Sequence, residues 1–405
     1  MHRRPLTRAL GGLLALVILL ALVGCVPDKA TFRGHGWGHG RGMSQWGALG
    51  YAVDHGWSGT RILDHYYGGT STQVVAPGDQ RVYLTASKGQ ALTVTQTAGR
   101  LRVDGYGADV AAVRVIRLSS THYRTYRGTS CSGPWALVGD APASDVEVRS
   151  AVPAGEDPNL MLQQCTSSGT RYYRGSLRLV RALGTVVTVN QVATEEMLRG
   201  IVPREVSPSW ADAGGGVGLN AVRAQALAAR SYALAGDSRW GSWATTCDST
   251  SCQSYGGYGA RAHGSGTIVR VEDTRTDRAV RDTANQVRMF PSGVIARTEF
   301  GSSSGGWTAG GTFPAVRDDG DDHAGNPNHD WTVTLSRAQV EAAFDAYAGR
   351  DMGTWEGFDS YVRDGRGDLG GRVVRVRARF GNGDLTVTGD QMHAILSLKS
   401  SWFAT

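Results

Sequence analysis

The sequence predicts a mixed α+β fold, and three observations carry that expectation. Residues 80–192 are short alternating runs, such as Arg81-Val82-Tyr83-Leu84, Leu92-Thr93-Val94-Thr95 and Leu177-Arg178-Leu179-Val180, parted by Gly and Asn turns, which is a β texture. Residues 193–235 set Leu219, Val222, Ala226, Ala229 and Ala233 at helical spacing, with Gln225 and Arg230 as polar exceptions. Near the carboxyl end a helical run from Arg337 to Tyr347 precedes strand-like runs at 372–377 and 385–387.

In chain order, Arg3, Arg4 and Arg8 precede an apolar run from Leu10 to Val23, which is short for a membrane span and shaped like the core of a signal peptide. It ends Leu22-Val23-Gly24-Cys25, a lipobox-like sequence that marks Cys25 for lipidation. The other reading is an ordinary secretory signal with an incidental cysteine. Residues 1–24 are then a signal peptide, 25–30 a lipidated tether and 31–405 the exported domain. Residues 31–72 are rich in Gly and His, and 240–335 read as loops rich in Gly, Ser, Asp and Trp.

The formal net charge of +6, with a pI near 9.1, rests on Arg, since Lys29, Lys88 and Lys399 are the only lysines. A basic excess outside the cell suits anionic polymers or lipid head groups, with plain solubility as the simpler account. No Lys/Arg stripe alternates with aromatics, and export argues against nucleic acid. Of the 5 Cys, four follow Cys25, and an even number in an oxidising compartment favours disulfides, most simply Cys131–Cys165 and Cys247–Cys252.

The candidate chemistry centres on Glu205, framed by Pro203 and Pro208 in a loop expected between two helices. Such an acid either caps or pairs structurally, or works as a general acid. The second role needs a raised pKa, which a wall of Ile201, Val202, Val206 and Trp210 would supply and a close Arg204 would oppose. Glu195 and Glu196 read as helix-start acids. His35 and His39 are four apart, but the surrounding glycines argue against a helix and against a metal pair. Asp318, Asp319, Asp321 and Asp322 read as a solvated turn rather than a cation loop.

The motifs have a recognisable order. Glu205-Val206-Ser207-Pro208, Trp210 and the run from Ala224 to Tyr232 (AQALAARSY) are followed by Cys247 to Gly257 (CDSTSCQSYGG), Ser302 to Gly306 and a late run through Leu396-Ser397-Leu398 to Phe403. Together with Gly38-His39-Gly40-Arg41-Gly42-Met43-Ser44-Gln45-Trp46-Gly47-Ala48 and His65-Tyr66-Tyr67, they resemble the SpoIID/LytB family of bacterial cell-wall proteins. That family usually carries the GHG-x-GMSQ motif last, so the resemblance implies a circular permutation that brings Thr31 near Thr405. The Ala213–Gly218 link is longer and richer in Gly than the family's.

The resemblance implies a SpoIID-like fold, with a β-rich lobe at 80–192, a catalytic and glycan-binding region at 193–335 plus 31–72, and a terminal segment at 336–405. It implies cleavage of peptidoglycan glycan strands, stripped of stem peptides, by lytic transglycosylation with Glu205 as catalyst. Arg230 and Tyr232 then line the groove, or else Arg230 is a buried ion-pair partner. Gln225, His39, Ser44 and Gln45 are expected to touch substrate or brace the Glu205 loop. No cofactor is expected, zinc at Cys247 and Cys252 with His263 being the lesser alternative to a disulfide. The rival readings are a wall-binding enhancer of an N-acetylmuramoyl-L-alanine amidase and a hydrolase, which would need a second carboxylate.

Overall fold

The computed structural model describes residues 27–142 and 145–405, so the apolar leader, Cys25 and its expected lipidation lie outside the described residues. The chain divides into two units, 40–329 and 1–39 with 330–405, and each is described by itself.

In the larger unit the alternating runs become strands. Seven form one sheet, in the order Thr246–Cys247, Asp79–Leu84, Thr185–Ala193, Ser176–Ala182, Asp145–Ser150, Leu101–Val103 and Tyr106–Val110. Eight more, from Ala136–Pro142 at one edge to Val269–Arg270 at the other, form a second sheet. Their inward-facing residues, among them Val82, Leu177 and Leu179 of the first and Leu92, Val94 and Val113 of the second, share one core. Alternation thus sorts one face of each strand inward, as the period of two requires.

Six helices complete this unit: α1 (Gln45–Val53), α2 (Gly59–Tyr66), α3 (Thr194–Arg199), α4 (Val202–Glu205), α5 (Leu219–Leu234) and α6 (Thr274–Asp282). The spacing predicts α5, and it is buried on both faces. Leu219, Val222, Ala226, Ala229 and Ala233 enter the core shared with the sheets, whereas Ala221, Ala224, Leu227 and Ala228 pack with Leu49, Ile62 and Tyr66 of α1 and α2. A helix apolar on every side belongs inside a domain. Small alanines let its neighbours approach, so α5 is the rigid post of the unit.

Two expectations change here. The stretch read as loop contains α6, capped by Asp273, whose side chain accepts from the Arg275 N–H. Its many charged residues hide a short buried face of Thr276, Asp277, Ala279 and Val280. Residues 31–72 also do not stay together: 31–39 belong to the smaller unit.

In the smaller unit, Lys29–His35 lies between Asp330–Ser336 and Phe403–Ala404, antiparallel to both. The register sets Arg33 opposite Ala404 and Gly34 opposite Phe403. A second sheet of Trp355–Arg363, Val373–Phe380 and Leu385–Thr388 joins α7 (Arg337–Ala348) and α8 (Gly389–Leu396). Both helices open with a capping box, from Ser336 with Gln339 and from Thr388 with Gln391. Among the described residues no helix is long and apolar enough to cross a membrane.

Candidate functional site

Glu205 is the last residue of α4 rather than part of a loop. Ile201 accepts its backbone N–H, Pro203 starts the helix, and Val206 leaves it in extended geometry. Ile201, Val202 and Val206 are buried beneath it, and Trp210 packs half-buried against both neighbouring cores. Glu205 as a residue remains partly open to solvent. Burial raises its pKa above the ordinary value, opposed by the Ser254 N–H, the Gln45 side chain and the Arg204 charge. Ser254 donates its backbone N–H to Oε1 at 2.7 Å. Arg204 is exposed and donates from Nε to Ser254 Oγ at 2.9 Å, turning its fork away from a direct pair with Glu205. Burial therefore outweighs the Arg204 charge at Glu205.

Two residues meet this acid from different elements, Gln45 and Ser254, and Gln225 stands behind Gln45. Gln45, the first residue of α1, faces the carboxyl, and its Nε2 lies 3.5 Å from Gln225 Oε1 of α5. Gln225 is 1% exposed, and its Nε2 has no hydrogen-bond partner among the described residues. Ser254 follows Cys252, which is bonded to Cys247, and Gln253, whose Nε2 donates to Ala229 O on α5. The disulfide and Gln253 thus tie the donor of Glu205 to the rigid helix.

Behind α1 lies a network that the sequence did not reveal. Asp318 and Asp321, expected in a solvated turn, are 0% exposed. Asp321 accepts from Ser44 Oγ at 2.6 Å, Ser303 Oγ at 2.7 Å, Ser304 N at 3.0 Å and Gly305 N at 2.8 Å, and its Oδ2 lies 3.0 Å from His329 Nδ1. Asp318 accepts from Tyr66 Oη and Ser304 Oγ, each at 2.7 Å. Burial and then the charge of Asp321 push Asp318 up to about 8. Burial also acts on Asp321, but the bonds from His329, Ser44, Ser303 and Ser304 outweigh it and hold its carboxyl below the usual range. The GMSQ, HYY and Ser-rich motifs therefore meet around two buried acids. Gly47 makes room for this: a Cβ there would fall 2.1 Å from Tyr66 Oη and 2.6 Å from Asp318 Oδ1. The signal was present in the coexistence of a Ser-rich turn and an acidic loop, but nothing in the sequence linked them to α1.

The remaining expected residues divide. Ser44 and Gln45 join the site as braces. Arg230 does not line a groove: it is 0% exposed, forks onto Glu195 with two bonds of 2.7 Å, and also donates to Thr283, Gln286 and Val280. Its chemistry is that of a buried ion pair on which α3, α5 and α6 close. Tyr232 is half-buried, with Arg297 stacked 4.2 Å from its ring centre and donating to its hydroxyl at 2.7 Å. It sits seven residues from Gln225, about 10 Å along α5. His39, half-buried, belongs to the smaller unit. Both expected disulfides are formed, Cys131–Cys165 and Cys247–Cys252, and His263 is exposed. Among the described residues no group of three or more His, Cys, Asp and Glu is placed to hold a metal ion.

Fold and site define a mixed α+β protein whose helical heart presents the half-buried Glu205 at the end of α4, beside the rigid post of α5. Comparison with known proteins places that heart: residues 183–290, about a quarter of the chain, match the SpoIID family, described as Stage II sporulation protein. Over 152 residues the chain is 28% identical to the amidase enhancer of Bacillus subtilis (strain 168), covering 36% of this chain and 17% of that protein. Over 69 residues it is 38% identical to an uncharacterized protein of Brachyspira hyodysenteriae (strain ATCC 49526 / WA1), 17% of each chain. The matches thus span less than a fifth of the length of these curated relatives. No solved structure matches the chain significantly.

Proposed function

We propose that this protein acts in the cell wall outside the cytoplasm and cleaves peptide-stripped peptidoglycan glycan strands by lytic transglycosylation. The observation that carries the reading is Glu205: partly open to solvent, raised in pKa by burial, and free of any ion pair among the described residues. Its neutral carboxyl donates a proton to the oxygen linking muramic C1 to the next sugar, and that C1–O bond breaks. The C6 hydroxyl of the same muramic residue then attacks C1, and the Glu205 carboxylate takes the hydroxyl proton. A 1,6-anhydro ring and a new chain end result, with the acid regenerated. One carboxyl is enough for this route, whereas hydrolysis calls for a second to activate water.

The match to an amidase enhancer favours a second reading, in which the protein binds the wall and stimulates an amidase. Digestion of peptide-free glycan strands, with mass spectrometry of the ends, separates them. Anhydro-muramic ends made by the wild type and missing with Glu205→Gln support cleavage. Intact glycan together with faster release of stem peptides by an added amidase supports the enhancer reading, and reducing ends would call for a hydrolase.

The reversed motif order is best explained by circular permutation, and the pairing of Phe403–Ala404 with Lys29–His35 supports it, since a short hairpin link would restore the usual order.

A further inference from the structure

Asp321 is the most heavily bonded carboxylate of the site's surroundings, yet the reaction above assigns it no part. Its bonds are unequal in what they reach. Ser303, Ser304, Gly305 and His329 all belong to the stretch around Asp321 itself, 16 to 18 residues or fewer away, and tie a local loop. Ser44 is different. It arrives from 277 residues away, gives the shortest of these bonds at 2.6 Å, and is the N-cap of α1, accepting the Gly47 N–H at 3.0 Å. A hydroxyl that donates to a buried carboxylate while accepting from a helix N–H has its rotamer fixed from both sides. The residue after it is Gln45, whose amide faces Glu205.

We infer that Asp321 is a positioning residue for Glu205, acting through Ser44 and the first turn of α1 to hold the Gln45 amide against the catalytic carboxyl. The inference rests on the glycan-cleaving reading for its kinetic consequence, but not for its structural one. Geometry favours it over a purely local role, because Asp321 bonds both the GMSQ turn, through Ser44, and the Ser-rich turn, through Ser303, Ser304 and Gly305. The two turns also meet directly: Ser44 Oγ donates to Ser302 O and accepts from the Ser304 N–H, and the Trp46 N–H donates to Ser302 O at 3.0 Å, so Asp321 adds the shortest side-chain tie to a junction already held by the backbone.

The electrostatic setting gives the sign of the effect. Arg204, on the same helix, is the charge that bears on Glu205, and from the neighbouring elements it meets the neutral Ser254 N–H and the Gln45 amide. Asp321 faces Asp318 and His329, and His329 Nε2 lies 3.9 Å from Asp322. The Gln45 amide favours the ionised form of Glu205. Loosening it therefore raises the pKa of Glu205 further.

Two variants and two readouts test this. Asp321→Asn and Ser44→Ala are made in the full chain, with circular dichroism to confirm folding. Carbon-13 NMR follows the Glu205 carboxyl, assigned with Glu205→Gln, and kcat and KM are measured on peptide-free glycan. Both variants should titrate Glu205 at higher pH than the wild type and lower kcat by about 10- to 100-fold, the scale of a small misplacement. KM should stay within about twofold, and the double variant should do no more than the stronger single one. Unchanged Glu205 titration in folded Ser44→Ala overturns the inference, as do independent, additive effects of the two changes. If Asp321→Asn fails to fold, Ser44→Ala decides alone, because it leaves Asp321 its other four partners. A wild type that cuts no glycan defeats the cleavage reading while the NMR titration still tests the positioning.

Discussion

Asp321 and Glu205 are carboxyls of the same unit, set against opposite ends of a short path through α1. Asp321 is sealed from solvent and meets donors from Ser44, Ser303, Ser304, Gly305 and His329; Glu205 is half-open and accepts one backbone N–H beside one facing amide. Desolvation pushes both upward, and the count of donors decides the outcome: Asp321 ends below the usual carboxylate range, Glu205 above its own. The difference teaches what separates a brace from an acid poised to give up a proton. Full satisfaction fixes a charge in place, whereas burial with few donors shifts the balance toward the neutral form.

The contrast breaks most plainly at Glu205 itself. Glu205→Gln keeps the shape and removes the proton, and a loss of about 10²- to 10⁴-fold in glycan cleavage is expected, measured by anhydro-end formation. Residual activity within a few-fold of wild type would mean that the half-open acid is no more reactive than the sealed one. Next in size is Arg230, a saturated group that the motif pattern had placed equally in a groove. Arg230→Met should lower unfolding free energy in denaturant titrations, because Glu195 and three acceptors lose their partner, but by less than the ~3–5 kcal/mol of a fully buried pair, since the Glu195 side chain is 31% exposed and can turn to water. A groove residue would instead weaken glycan binding and leave the unfolding midpoint in place.

Asp318 sharpens the contrast from the other side, since it is sealed but has fewer donors than Asp321. Its folded pKa of about 8 stands above the unfolded value of about 3.9, so its stabilising contribution is complete below the latter and is lost as pH rises through the former. The stability of Asp318→Asn relative to wild type should therefore climb between about pH 4 and 8, by at most ~1.4 kcal/mol per pH unit. A flat difference would show that Asp318 is ionised inside the fold. The smallest effect belongs to Arg204→Ala. Removing that charge takes away the Coulombic pull on Glu205, so the basic limb of the pH–rate profile should move to higher pH.

How much of this was legible follows from the range of each interaction. Periods of two and 3.6 gave the strands of 80–192 and α5 directly, because burial of one face writes itself into neighbouring residues. Glu205 stood out through its prolines and its apolar neighbours, again local signals. The α6 helix was missed because Arg275, Asp277, Arg278, Arg281 and Asp282 dominate its composition, and its buried face is only a few residues wide. The acidic loop was misread because two of the donors to its acids, Ser44 and Tyr66, lie more than 250 residues away, and nothing local showed that the loop folds inward to meet them. Arg230 remained open between two roles until Glu195 was seen against it. Long-range pairing has no local spelling.

The strand Lys29–His35 has one more consequence, and it concerns time. Its two neighbours are residues 330–336 and 403–404, so a chain emerging from its amino terminus presents this strand first and its partners last. For about 300 residues of emergence the strand has nothing to pair with, whereas 40–329 carries its own sheets and can close on itself. Contacts of such sequence separation form slowly and leave an unpaired edge waiting. The smaller unit can begin to knit only when residues 330–336 have emerged, and its edge closes only with residues 403–404.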